Sequence, residues 1–146
     1  MFRIEADFSD ADLDALINND VEIFFDEIVE GMRAVGRDFT ERARSKAAAG
    51  AKVYNNITWN LVSSIGYCLV DRGVIVESYF PSLKGGTEGE AVGAELAEKL
   101  AIYGGDGIAL VLVAGEHYSE FLRAKGYDVI DNSYLISEDE LNKMFA

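Results

Sequence analysis

Apolar and polar residues repeat with two different periods along this chain, and the changes of period predict its helices and strands. Residues 2–8 alternate with a period of two, which is typical of a short half-buried strand or an extended arm. Ser9-Asp-Ala-Asp12 has the sequence of a helix N-terminus, and we expect a short helix that ends at Asn18-Asn19-Asp20. From Val21 to about Ala49, apolar residues recur every three or four positions, which predicts a long amphipathic helix terminated by Gly50.

The middle of the chain has the pattern of β-strands. Ile65–Val70 and Val74–Phe80 are rich in β-branched and aromatic residues, and they flank the short turn Asp71-Arg-Gly73. This arrangement predicts a β-hairpin. Ile108–Val113 is apolar at every position, so we expect a central strand that is buried on both faces. Another strand, or the beginning of one, is predicted at Tyr127–Ile130.

Three further helices are predicted in the second half of the chain. Glu90–Tyr103 is amphipathic, and Glu116–Lys125 is a short helical segment that Gly126 terminates. Ser137-Glu-Asp-Glu140 resembles a capping box, which would open a terminal helix through Phe145.

Together these elements predict one α+β domain over residues 1–146. It would contain a long N-terminal helix, an antiparallel sheet with a β-hairpin, and two or three further helices packed on that sheet. We divide it into an N-terminal arm and short helix at 1–20, a core at 21–135 and a C-terminal helix at 136–146. No apolar run approaches the roughly 20 residues that cross a bilayer, and the first residues lack the pattern of a signal peptide.

The net charge of −13 makes this chain strongly acidic. Such a surface repels phosphate, so nucleic-acid binding is not expected as its main task, although DNA can pass nearby without binding. The charge is uneven, with a net −9 over residues 1–30 and +4 over residues 31–52. Compensation of the helix dipole explains this order, and so does a pair of unlike interaction patches.

The residues with the greatest chemical potential do not form a recognisable catalytic pattern. His117 is the only histidine and Cys68 the only cysteine, so a Ser-His-Asp triad has one possible base and structural zinc lacks ligands. Cys68 is expected to be a buried, inert thiol in a protein made in a reducing compartment. Asp10-x-Asp12-x-Asp14 lacks the glycine and glutamate of a calcium loop, and Gly85–Gly89 lacks the lysine of a phosphate loop. We therefore predict no catalytic residue, no cofactor and no metal.

Two segments carry a resemblance to a known family. Thr58-x-Asn-Leu-x-Ser-Ser-Ile-Gly-Tyr67 resembles the Thr-Gly-Asn-Leu-Arg-Ser-Ser-Ile-Gly-Tyr element of tailed-bacteriophage neck and tail-completion proteins. Val113–Val129 resembles the segment that closes this family's domain, Ala-Gly-x-x-Tyr-Ala-x-Tyr-Val-Glu-x-Lys-Gly-Tyr-Asp-Val. The order of elements agrees over roughly residues 20–135. Trp59 stands in place of the usual glycine, Val62 in place of the usual arginine and Arg123 in place of the usual glutamate.

The resemblance implies a non-enzymatic virion protein, made in the bacterial cytoplasm and located at the head–tail junction. It implies a ring of six or twelve copies that contacts neighbouring neck, head-closure and tail proteins, with DNA only as a non-specific passenger and no membrane partner. Aromatic residues dominate interface hot spots, and the interface candidates are Trp59, Tyr67, Tyr118 and Phe121, for which ordinary core packing remains an equal alternative. Two other functions stay open: an acidic protein-binding adaptor, as monomer or dimer, and a small hydrolase built on His117.

Overall fold

The fold is α+β, with a long N-terminal helix, a three-stranded antiparallel sheet that contains a hairpin, and further helices. The computed structural model describes residues 7, 9–53, 59–115 and 131–144. Within these residues the elements, in chain order, are α1 (Asp10–Val53), α2 (Asn60–Ser63), β1 (Ile65–Asp71), β2 (Val74–Tyr79), α3 (Thr87–Ala101), a 3₁₀ turn (Ile102–Gly104), β3 (Ile108–Ala114) and α4 (Asp131–Met144). The predicted elements at residues 2–8, 116–125 and 127–130 lie outside the described residues.

Helix α1 is longer than the sequence pattern indicates. It begins with the expected capping box, in which the backbone N–H of Ser9 donates to Asp12 Oδ2 at 2.9 Å and that of Asp12 donates to Ser9 Oγ at 3.2 Å. The predicted break at residues 18–20 and the predicted end at Gly50 are both wrong, because the helix runs unbroken from Asp10 to Val53. Asparagine and aspartate each cost well under ~1 kcal/mol in a helix, which is too little to interrupt a ladder already established on both sides.

Contacts divide the chain into two units, Met1–Gly31 and Met32–Ala146. In the first unit, the described residues from Asp10 to Glu27 are all exposed, including the large apolar ones. In the second unit, the apolar stripe of α1 is buried at Val35, Phe39 and Ala43. The apolar stripe is therefore present in the sequence of α1, but only its second part is buried in a core.

The sheet has the strand order β2-β1-β3, with both neighbours antiparallel to β1. The predicted hairpin is confirmed, and its turn has Arg72 and Gly73 in the left-handed region, at φ 50° and 79°. In the described sheet the central position belongs to β1, whereas the prediction assigned it to the strand at Ile108–Val113. That strand, β3, lies at an edge, and its apolar residues are mostly half-buried.

The sheet of the second unit lies between two helical layers. On one face, the second half of α1 packs Phe39, Ala43 and Ala47 against a cluster that includes Leu61 and Ile65. On the other face, α3 packs Ala97 and Ala101 against a second cluster, whose other buried members are Cys68, Val70, Phe80 and Val113. Alternation along β1 explains both clusters, since successive side chains of a strand point to opposite faces.

Helix α4 starts earlier than predicted. Ser137 does not cap its N-terminus but lies inside the helix, and its Oγ donates to the Ser133 carbonyl at 2.9 Å. The Arg42 guanidinium of α1 reaches α4, where it donates to Ser137 Oγ at 3.1 Å and to Glu140 Oε1 at 3.3 Å. Among the described residues, no helix combines the length and the apolar character that a membrane span requires.

Candidate functional site

The segment from Trp59 to Tyr67, which we name the α2–β1 junction, connects the layers of the second unit. The Asn60 side chain bonds to α3, accepting from the Gly89 backbone N–H and donating to Glu88 Oε2, both at 3.3 Å. Ser63 Oγ accepts from the Leu83 backbone N–H at 2.9 Å, which ties the loop after β2 to the junction. The polar residues of the family-like segment are therefore used as internal links.

Arg44 of α1 fixes the same junction from the other side. Its guanidinium donates to the Ile65 carbonyl at 2.9 and 2.8 Å, to the Ser63 carbonyl at 3.3 Å and to the Pro81 carbonyl at 2.7 Å. A planar guanidinium presents several donors in a fixed fork, so one side chain can satisfy the carbonyls at the end of α2, the start of β1 and the end of the hairpin. Burial lowers the pKa of Arg44 from its ordinary value. An arginine side chain nevertheless keeps its positive charge in proteins.

Close approach of the backbone requires glycine at several positions around the junction. A Cβ on Gly66 would come within 2.5 Å of the Phe80 ring, and one on Gly93 would come within 2.7 Å of the same ring. A Cβ on Gly89 would overlap the carbonyl group of Asn60. Helix α3 can therefore lie directly against the junction because its contact face is made of glycine and alanine.

Trp59 starts the junction in an unusual backbone conformation. Its φ of 56° and ψ of 8° lie in the left-handed region, which favours glycine and costs a residue with a side chain about 1 kcal/mol or more. The indole ring packs against the Phe39–Ile65 core cluster, and Lys84 Nζ lies 4.0 Å from the ring centroid. Core packing and a cation–π contact offset the backbone strain.

A second polar group lies between α1 and the hairpin. Tyr67 OH donates to Glu77 Oε1 at 2.7 Å, and Arg33 Nε donates to Glu77 Oε2 at 2.7 Å. A β-bulge directs Glu77 toward α1, because Leu69 pairs with Glu77 while Val70 pairs with Ile75, which leaves Val76 as the extra residue.

Burial and hydrogen bonding shift the pKa values of Tyr67 and Glu77 in this group. Burial, assisted by the hydrogen bond to Glu77, raises the pKa of Tyr67 to about 12. Burial opposes ionisation of Glu77, but the hydrogen bonds from Tyr67 and Arg33 outweigh it and lower the pKa of that carboxyl. At neutral pH the Tyr67 phenol is therefore neutral, and Arg33 and Glu77 form a charged pair. This arrangement suits a structural link.

The four interface candidates fall in different places. Tyr67 is fully buried, so a partner has no access to its ring in this conformation. Of the two roles considered for this residue, core packing is the one that its burial fits. Trp59 is half-buried, and Tyr118 and Phe121 lie outside the described residues, as does His117.

The described residues supply no metal site and no reactive thiol. Cys68 is buried, and burial raises the pKa of its thiol to about 11, which keeps it protonated. Within the described ranges, no three His, Cys, Asp or Glu side chains come together as a metal site would need.

The first unit carries a surface of a different kind. From Asp10 to Glu30 the helix contains eight acidic residues and no basic one. The same segment exposes large apolar side chains, namely Leu13, Leu16, Ile17, Val21, Ile23, Phe24 and Phe25. An exposed apolar patch of this kind marks an interaction site more often than a bare surface. We name this acidic and apolar stretch of α1, residues 10–30, the acidic helix.

Three of the six basic residues at positions 31–52 are used inside the second unit. Arg33 bonds to Glu77, Arg42 bonds to Asp38 and to α4, and Arg44 bonds to the junction carbonyls. These arginines therefore hold the fold together, which weakens the idea that the whole 31–52 stretch forms a basic interaction patch.

Comparison of the chain with protein-family models, with curated proteins and with solved structures gives no match.

Proposed function

We propose that this chain is a non-enzymatic structural subunit of the neck of a tailed-bacteriophage virion. In this proposal it forms a ring at the head–tail junction, helps to complete or attach the tail, and lets DNA pass through without binding it. The ring would contact neighbouring neck, head-closure and tail proteins.

The observation that carries the proposal is the backbone of Trp59. The bacteriophage family's element has a glycine where this chain has Trp59, and the chain adopts here the left-handed conformation that glycine prefers. The backbone thus keeps a shape that the tryptophan side chain itself does not favour. This agreement supports the resemblance at one of the positions where the residue itself departs from it.

The other residues of the segment also support the resemblance. Four more residues of the segment link elements to one another. The side chains of Asn60 and Ser63 form hydrogen bonds to other elements, and the Ser64 carbonyl accepts from the Gly115 backbone N–H. Gly66 lies in close contact with Phe80. A segment with this role determines how the helices and strands pack together. Val62 fits less well, because it is buried in the core, where the family's arginine would lose its hydration.

The acidic helix also favours an assembly role over a catalytic one. A long helix with exposed apolar side chains and one sign of charge is suited to protein contacts, and its acidic surface would not bind DNA phosphates in a channel. The same helix favours the second candidate, a monomeric or dimeric adaptor that binds a basic partner. Light scattering of the purified chain distinguishes them, because the adaptor remains a monomer or dimer.

The experiment that tests the neck proposal is a deletion of the gene in a phage that encodes this chain. We expect the lysate to contain filled heads and separate tails when examined by electron microscopy, and expression of the chain in trans should restore joined particles. A deletion that yields normal, infectious particles would contradict the proposal.

A further inference from the structure

The apolar stripe of α1 continues in sequence from its exposed part into its buried part without a change of spacing. A single series of apolar positions, three or four residues apart, begins at Leu13 and includes Val35 and Phe39. Val35 and Phe39 are buried in the second unit, whereas Ile17 and Phe24 are 50% and 63% exposed. A stripe of this kind is the part of a helix that packs against another surface. The exposed part of the stripe is therefore expected to have a partner.

The exposed part has the spacing by which a helix binds in a groove. Ile17, Val21 and Phe24 stand at positions i, i+4 and i+7, and each is at least 50% exposed. Amphipathic helices that lie in an apolar groove of another protein use anchors at this spacing. From Leu13 to Phe24 the helix extends over about 17 Å at 1.5 Å per residue. We name these four residues the anchor face.

Carboxylates border the anchor face, and the sequence places no base near them. Asp20 lies three residues after Ile17, and Glu27 lies three residues after Phe24, so each acid is next to an anchor on the helix surface. Both acids are exposed, and residues 4–32 contain no lysine, arginine or histidine. A purely apolar partner would remove water from these acids without replacing it by positive charge, which is costly. The rims of the groove should therefore be basic.

The acids also repel one another along the helix. Asp10 and Asp14 form a pair of like charges four residues apart, and so do Glu22 and Asp26. Such pairs destabilise a helix by a few tenths of a kcal/mol each. Positive charge beside the helix would reduce this repulsion. A basic partner should therefore stabilise the helix in addition to binding it.

A second copy of this chain is a poor source of that positive charge. Two acidic helices in contact would bring only acids together, and like charges across an interface are destabilising. Many of the described bases already contact an acid, a backbone carbonyl or an aromatic ring, namely Arg33, Arg37, Arg42, Arg44, Arg72, Lys84, Lys99 and Lys143. The net charge of −13 also opposes self-association through an acidic segment. Contacts between copies in a ring would then use surfaces other than the acidic helix.

From these observations we infer that the acidic helix docks in an apolar groove with basic rims on a different protein. The anchor face fills the groove, and lysine or arginine side chains on the rims pair with Asp20 and Glu27. That this protein is a neighbour in the phage neck rests on the proposed function. The chemistry of the groove is argued from the exposure and charge of the helix alone.

A helical peptide of leucine and lysine is the probe for this contact. It has about 20 residues, with leucine along one face and lysine beside it, so it presents apolar and basic groups in the order that the acidic helix requires. A second peptide has glutamate in place of lysine. A third has the composition of the first in an order that breaks the leucine stripe. Fluorescence anisotropy of the labelled peptides measures their binding to the full chain, and we expect the first to bind much more tightly than the other two.

Two variants of the chain locate the binding. The anchor variant is Ile17→Gln with Phe24→Gln, and the charge variant is Asp20→Asn with Glu27→Gln. All four positions are exposed, so both chains should fold, and circular dichroism checks that they do.

Each variant has a matched control in the second unit. Leu135→Gln removes an apolar side chain of similar exposure, 60%, from α4. Glu98→Gln with Asp106→Asn removes two other exposed acids. Both controls should bind the leucine–lysine peptide as the wild type does.

The two variants should weaken binding to different extents. We expect a loss of roughly thirtyfold for the anchor variant, as when hot-spot residues are removed, and of about threefold to tenfold for the charge variant. Added salt should weaken binding of the wild type more than binding of the charge variant, because salt screens the pairs that the variant lacks. Hydrogen exchange read by mass spectrometry should show new protection of residues 10–27 when the peptide binds.

Three results would overturn the inference. A leucine–lysine peptide that does not bind, or that binds no better than the leucine–glutamate peptide, excludes a basic partner. An anchor variant that binds like the wild type excludes the anchor face. Oligomers of the wild type alone that the anchor variant abolishes make a second copy the occupant. The deletion phage tests the neck proposal separately, and infectious particles from that deletion would leave the peptide result unchanged.

Discussion

Gly36 of α1 lies against the ring of Tyr67 of β1 so closely that no side chain fits between them. A Cβ on Gly36 would come within 2.6 Å of Tyr67 Cγ and within 2.8 Å of both Cδ atoms. The contact sets the distance between α1 and the sheet, and it positions the Tyr67 hydroxyl for its bond to Glu77. A glycine that lowers helix propensity is thereby explained by packing.

We predict that Gly36→Ala destabilises the chain although alanine is the better helix former. Overpacking of a core costs about 1–3 kcal/mol, which exceeds the gain of about 1 kcal/mol in helix propensity. Urea denaturation followed by circular dichroism measures the change. Gly107→Ala is the control, because a Cβ there meets nothing within 4 Å, and it should be neutral. Equal stability of Gly36→Ala and wild type would contradict the packing described here.

Replacement of Arg44 should destabilise the α2–β1 junction. Arg44→Leu leaves the carbonyls of Ser63, Ile65 and Pro81 without their guanidinium donor, and we expect a loss of about 2–4 kcal/mol in the free energy of unfolding. Arg44→Lys should fall between, since an ammonium cannot reproduce the fork. Lys99→Ala, which removes an exposed helix pair, should change stability by less than about 0.5 kcal/mol. A loss for Arg44→Leu no larger than this control would contradict the clamp.

Two substitutions at Trp59 separate its backbone from its ring. Trp59→Ala and Trp59→Gly both lose the core packing and the Lys84 contact, so both should be less stable than wild type. Trp59→Gly should be the more stable of the two by about 1 kcal/mol, because only glycine occupies the left-handed region without strain. Thermal unfolding compares the pair directly. If the alanine variant is as stable as the glycine variant, the left-handed backbone at Trp59 is not present in solution.

The raised pKa of Tyr67 predicts a specific loss of stability at high pH. Its folded pKa of about 12 lies above the ordinary value of 10.0, so its contribution is complete below pH 10 and is lost as pH rises toward 12. The contribution is on the order of 2–3 kcal/mol. Tyr67→Phe should therefore show a smaller decrease in unfolding free energy between pH 9 and 12. Cys68, which also titrates in this range, is present in both proteins and cancels in the comparison. Parallel curves for the two proteins would contradict the burial of the phenol.

The sequence pattern predicted the hairpin and most helices because local signals decide them. Gly73 supplies one of the two left-handed turn positions of the hairpin, and β1 and β2 carry β-branched and aromatic side chains. The helix boundaries were harder. Asn18-Asn19-Asp20 is a plausible stop in isolation, and only the continuing ladder makes it interior. Ser137 has the sequence neighbours of an N-cap residue, but its Oγ donates to the Ser133 carbonyl. This bond is possible only because the helix begins before Ser137.

The links that build the junction were not predictable from sequence. Arg44 meets Ile65 and Pro81 across 21 and 37 residues, and no periodic pattern connects positions so far apart. The charge asymmetry of α1 was visible, but the internal use of Arg33 was not, because it depends on a bulge that directs Glu77 toward the helix. Gly36 offered a signal, since an unexplained glycine inside a strong helical pattern indicates close packing.

We propose that this chain is a structural part of the phage neck. The most direct test is electron microscopy of purified virions in which the chain carries a gold-labelled affinity tag. We expect each labelled particle to carry gold at the head–tail junction and nowhere else on the head or tail. Virions that contain none of the chain, or that carry it along the tail or on the capsid, would contradict a location in the neck.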